Sequence, residues 1–199
     1  MASKAKKIAA LVDYAANECA EAGIRFELRN TASVGDRWTG GFFSEEDREL
    51  VVAAKMEDFE QFVAHELCHV KQWQDGVHKC DDAYDDWWKW LSGEKFLDPA
   101  TVITYTRMVS LCEMDCEKRT VKLLEQFGLL GQKSRREYVK TANAYILCHE
   151  IARMQGRWPV AGRTPMEIEK IWGLLPSKFI KDVGRVPDDF LAATLSSCY

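Results

Sequence analysis

Residues 62–70, Phe62-Val63-Ala64-His65-Glu66-Leu67-Cys68-His69-Val70, constrain the fold of this chain more than any other stretch. Two histidines four apart, with a glutamate after the first, form an HExxH motif. On a helix, residues four apart share a face, so both imidazoles can reach one ion. Zinc accepts histidine nitrogens, and a rigid helix pre-positions two of them. Glu66 then stands within reach of a zinc-activated water as general base. Phe59, Phe62, Val63, Leu67 and Val70 recur at helical spacing. They predict a core-packed helix from about Glu57 to Trp73, ended near Gly76. The chain has four histidines, and two of them fall in this register. The motif predicts a zinc-dependent hydrolase acting on peptide bonds.

A catalytic zinc usually takes a third protein ligand and keeps an open position. A nearby third histidine of the metzincin pattern is excluded, because Gln72 and Asp75 occupy the positions it requires. Glu113 is the leading candidate, in Leu111-Cys112-Glu113-Met114-Asp115-Cys116-Glu117. Asp98-Pro99 offers an N-cap and a first-turn proline for a helix running to about Phe127, with Gly128 at its end. Glu113 and Glu117 share a face of that helix, so one carboxylate can bind metal while the other accepts the N–H of a ligand histidine. Glu117 as ligand and Glu113 as support is the reverse assignment. His78, nine residues past His69, is a rival. Cys112 and Cys116 are a third option, although a thiolate suits a structural site better.

His65-Glu66-Leu67-Cys68-His69 with Gln72 is followed by Glu113-x-Asp115-Cys116-Glu117. Ala142-Asn143-Ala144-Tyr145, Arg157-Trp158 and Pro176-x-Lys178-Phe179 come next. This order resembles a group of bacteriophage-encoded metallopeptidases of the zincin, gluzincin-like type, over roughly residues 50 to 180. The resemblance implies zinc as cofactor, a protein or peptide substrate, and a helix and antiparallel sheet ahead of the zinc helix. It also implies location in the host cytoplasm or the virion.

The 199 residues predict one domain, 1–199, large enough for its own core. An apolar fraction of 47% and a charged fraction of 29% belong to a globular chain rather than a membrane one. The net charge of −4 argues against general nucleic-acid binding. Seven cysteines without disulfide-like spacing fit a reducing cytoplasm. Ile8-Ala9-Ala10-Leu11-Val12 is too short before Asp13 to act as a signal peptide.

Residues 3 to 22 read as an amphipathic helix capped by Ser3, and Ile24 to Leu28 alternates as a half-buried strand. Residues 38–43 and 50–53 suggest two more strands around a polar turn. The fold class is therefore α+β: helix-rich, with a small antiparallel sheet and an HExxH helix. An edge strand at Gly40-Gly41-Phe42-Phe43 could pair with an extended peptide. Residues 81–90 hold four aspartates and three tryptophans. Without calcium-loop spacing, they read as an acidic helix start that packs aromatics. Ser134-x-x-Glu137 is a capping box opening a helix to about Gln155. That helix carries Tyr145, His149 and Arg153, each a possible donor to the oxyanion of a tetrahedral intermediate, with Tyr145 and His149 ranked first. Thr164-Pro165-Met166-Glu167 is a second capping box opening a short helix that ends near Gly173. The chain past Pro176 shows little periodicity and reads as an irregular surface tail.

Overall fold

The computed structural model describes residues 3–35, 39–77, 81–160 and 162–199, without the side chains of 81 and 82. Trp38, where the second strand was expected to begin, and His78 lie outside the described residues. The architecture is α+β, with seven helices and a three-stranded sheet among the described residues. The chain divides into two compact units, one formed by 1–78 and 116–131 and the other by 79–115 and 132–199.

The first unit begins with α1 (Lys4–Glu21), where the Ser3 side chain accepts from the Lys6 N–H at 3.4 Å. This is the expected N-cap, which satisfies a backbone donor left over at a helix start. Leu11, Ala15 and Cys19, four apart, form its buried stripe. Strands β1 (Arg25–Arg29), β2 (Gly41–Ser44) and β3 (Glu49–Ala53) follow. All five residues of β3 are buried, so its apolar run takes the centre of the sheet. Each fully buried Leu or Val there contributes about 1.5–3 kcal/mol.

The sheet order is β1-β3-β2, and β2 pairs with β3 antiparallel, as expected. β1 pairs with β3 in parallel, so the sheet is mixed rather than antiparallel. The β2–β3 hairpin occupies one side of β3, and the connection after β1 carries the chain across to that side. Strand direction of this kind leaves no mark in a hydropathy pattern. Helix α2 (Phe59–Gln74) packs on α1, β2 and β3. Asp58 precedes it with φ +52°, and Gly76 ends it with φ +67°.

Helix α4 (Pro99–Gln126) supplies its last turns, from Cys116, to the first unit. These turns are held against α1: the Phe127 and Tyr14 rings lie 5.5 Å apart, and Lys7 Nζ donates to the Gly128 carbonyl at 2.7 Å. At the other end of α4, Asp98 Oδ1 accepts from the N–H groups of Ala100 and Thr101, the expected cap.

The second unit holds α3 (Asp81–Leu91), the earlier part of α4, α5 (Gln132–Gln155), α6 (Glu169–Trp172) and α7 (Asp188–Cys198). Three differences from the sequence reading occur here. Helix α5 starts at Gln132, so Ser134 lies inside it and not at its cap. Thr164 does receive Glu167, whose Oε2 accepts from the Thr164 N–H at 2.7 Å, but the helix beyond begins only at Glu169. The tail is irregular only over 176–187 and then ends in a helix: Phe190, Thr194 and Cys198 give α7 a buried stripe one residue wide, and Phe190 and Cys198 join Leu147, Ile151 and Ile171 in a core cluster. A stripe that narrow is a weak periodic signal.

Candidate metal centre

Helix α2 delivers both motif histidines within the first unit. His65 is half-buried, His69 and Glu66 are buried, and the two Nε2 atoms face each other at 3.1 Å. Two nitrogens bound tetrahedrally to one zinc at its usual bond length would stand about 3.3 Å apart.

Each ring is braced at its other nitrogen. Gln72 Oε1 lies 2.9 Å from His69 Nδ1, and Glu117 Oε1 lies 3.2 Å from His65 Nδ1. Both oxygens accept, so each Nδ1 donates its proton and, were both rings neutral, each Nε2 would present a lone pair. Two lone pairs at 3.1 Å repel unless a cation lies between them. A proton meets that need as well as a metal does. Burial disfavours the charged form of His65, but Cys116 and Glu117 more than offset this and hold its pKa well above the usual imidazole value.

His65, His69 and Cys116 together form a group that could hold a metal ion. Cys116 Sγ is 3.7 Å from His65 Nδ1 and donates to the His65 carbonyl at 3.3 Å. It therefore approaches the opposite nitrogen from the one that faces His69. A single ion engages one nitrogen of the ring, so in this orientation Cys116 supports the imidazole from behind. Cys68 is next to this group, and burial first, with the Cys116 charge second, pushes its thiol up to about 12. It stays a protonated, inert neighbour.

Strand β2, an edge of the sheet, runs beside the helix. A Cβ added at Gly41 would fall 2.9 Å from Glu66 Cγ and 3.3 Å from Glu66 Oε1. The edge strand expected at 40–43 is thus present, starting at Gly41, and it lies against the motif glutamate.

Glu113, Tyr145, His149 and Arg153 belong to the second unit. Glu113 is fully buried and accepts from the Tyr84 hydroxyl at 3.3 Å. His149 is fully buried with its Nδ1 3.3 Å from the Ile146 carbonyl, and its ring sits 5.0 Å from Tyr145, 5.4 Å from Trp87 and 5.2 Å from Trp158. Burial lowers its pKa, with Glu113 opposing. Arg153 makes a two-pronged contact with Glu150, three residues earlier on α5. The aspartate–tryptophan segment forms α3, and Trp87 lies in the core with Val109 and Ala152.

Sequence reasoning gave Gln72 no role. Its position three residues after His69 on one helix was the available signal. Among the described residues, six cysteines are free, and no helix is long and apolar enough to cross a membrane. No protein-family model matches the chain, and no curated protein or solved structure matches it.

Proposed function

We propose that this chain is a zinc-dependent peptidase. The observation that carries the reading is that the Nε2 atoms of His65 and His69 face each other at 3.1 Å while an acceptor oxygen braces each Nδ1. Such bracing is what orients metal-binding histidines and raises their basicity. Two imidazoles with oxygen and thiol donors close by suit zinc better than magnesium or calcium, which take oxygen sets. The sequence reading assigns the third ligand to Glu113, with Glu117, His78 and the pair Cys112 and Cys116 as rivals; Glu117 and Cys116 belong to the unit that holds the histidines.

When bound, zinc acts as a Lewis acid and makes water a nucleophile at neutral pH. The chain supplies the proton handling and the positioning. Glu66 accepts a proton from the attacking water and returns it to the leaving amine. Gln72 and Glu117 would hold the two imidazoles in the tautomer whose Nε2 can take a metal. An extended peptide added to the outer edge of β2 would lie beside Glu66. This geometry favours a protein or peptide substrate in extended form. Motif order alone supports the relation to phage-encoded zincin peptidases.

The buried Cys116 thiol favours a second reading, a closed structural zinc site in a non-catalytic protein. Glu66→Gln separates the two. In a peptidase it keeps zinc and loses hydrolysis of casein by at least about a hundredfold. If Glu66→Gln cleaves at the wild-type rate, or if zinc-loaded wild type never cleaves, the peptidase reading fails.

A further inference from the structure

Seven glycines of the described chain have φ between +65° and +79°, and backbone conformation accounts for them. Gly40 and Gly41 are not among them. What distinguishes these two is space. A Cβ at Gly40 would stand 2.6 Å from the Phe62 ring, and one at Gly41 would stand 2.9 Å from Glu66 Cγ and 3.3 Å from the Val51 carbonyl oxygen. Phe62 and Glu66 are one turn apart on α2.

Successive side chains of a regular strand point to opposite faces. Both glycines can face α2 because the chain bends at Gly40, immediately before β2 begins. The backbone is thus pressed onto the motif helix at two points, one of them the glutamate. Any larger residue at 41 must displace Glu66 near the middle of its side chain, or move the strand.

We propose that Gly40 and Gly41 are positioning residues: by lacking side chains they set the strand–helix spacing that fixes where the Glu66 carboxylate stands. The inference deepens the peptidase reading and rests on it for the catalytic consequence, but the spacing device is testable without any activity. Gly40 is held through Phe62 and serves as the anchor. Gly41 acts on Glu66 directly.

The test is a double-mutant cycle read by thermal unfolding of the full chain with zinc added. Gly41→Ala is expected to lower Tm by about 3 °C in the wild type, and by less than half of that in a Glu66→Ala background, where the opposing Glu66 Cγ and Oε1 are gone and only the Val51 carbonyl remains. Gly40→Ala with Phe62→Ala is the matching cycle for the anchor. Equal Tm losses from Gly41→Ala in both backgrounds overturn the proposal.

Hydrolysis of casein and zinc content are measured on the same Gly41→Ala protein. The expected result is a tenfold or greater fall in kcat, with KM and zinc content unchanged. A coupled Tm effect with wild-type kcat removes the positioning role. A coupled Tm effect in a protein whose wild type never cleaves keeps the strand–helix spacing and sinks the peptidase reading instead.

Discussion

The amide oxygen of Gln72 stands 2.9 Å from Nδ1 of His69, less than one turn along the same helix. Gln72 is fully buried, so this bond is shielded from water. Replacing the glutamine leaves Nδ1–H buried without its acceptor and frees the ring to turn. Gln72→Leu, close in volume, is expected to weaken zinc affinity about 10- to 100-fold while the helix stays folded. Competition with a chromophoric chelator measures this, and an unchanged affinity means that Gln72 only fills space.

Zinc content separates the α4 donors. Cys116 approaches the braced side of His65, so Cys116→Ala should retain one zinc per chain. Glu113→Ala should lose most of it if the sequence assignment of the third ligand is right. Loss in Cys116→Ala with retention in Glu113→Ala would mark a His-His-Cys site and favour the structural reading. Elemental analysis of the purified variants gives the answer directly.

His149 was ranked with Tyr145 as a possible oxyanion donor, and its surroundings dictate a pH signature of their own. Burial depresses its pKa below the usual 6.5 in the folded chain. As pH falls through 6.5, the unfolded chain takes up a proton that the folded chain refuses, so stability declines by up to about 1.4 kcal/mol per pH unit. His149→Phe fits the aromatic cluster and removes this slope. Urea unfolding at pH 7.5 and 5.5 should show the wild type losing more stability than the variant. Equal losses would mean that His149 takes up its proton in the fold as readily as in the unfolded chain.

The site's first half was legible because it is local. His65, Glu66 and His69 need only a helix to bring them together, and the apolar spacing of Phe62, Val63, Leu67 and Val70 announces that helix. The Ser3, Asp98, Gly76 and Gly128 boundaries were legible for the same reason, since caps and glycine stops act over four residues. What sequence left open depends on distant pairing. Nothing in Arg25–Arg29 says that it runs parallel to β3, and nothing in Cys116 says which nitrogen of His65 it will approach. The α7 stripe of Phe190, Thr194 and Cys198 was present but narrow, and it is helical because a core cluster of α5 and α6 residues covers it. Gly40 and Gly41 read as an ordinary hairpin pair until Phe62 and Glu66 are seen against them.

Lys71 lies on α2 between the motif residue His69 and its brace Gln72, and it ties this helix to α1. Its Nζ donates to Glu18 Oε2 at 2.7 Å and to the Tyr14 hydroxyl at 3.0 Å. The hydrogen bond from Lys71 holds the Glu18 carboxyl below its usual value of 4.5. A depressed carboxylate contributes stability that is present above pH 4.5 and is lost as pH falls through the folded value. Both side chains are a little over a quarter exposed, so the contribution is small, about 0.5–1 kcal/mol. Lys71→Met keeps the packed stem and removes the charge. At pH 7 it should lower Tm by about 2 °C, and the difference should shrink as pH falls below 4.5. Because β2 and β3 also pack on α2, zinc affinity in Lys71→Met should fall no more than about threefold. A larger fall would show that the α1 contact also positions the site.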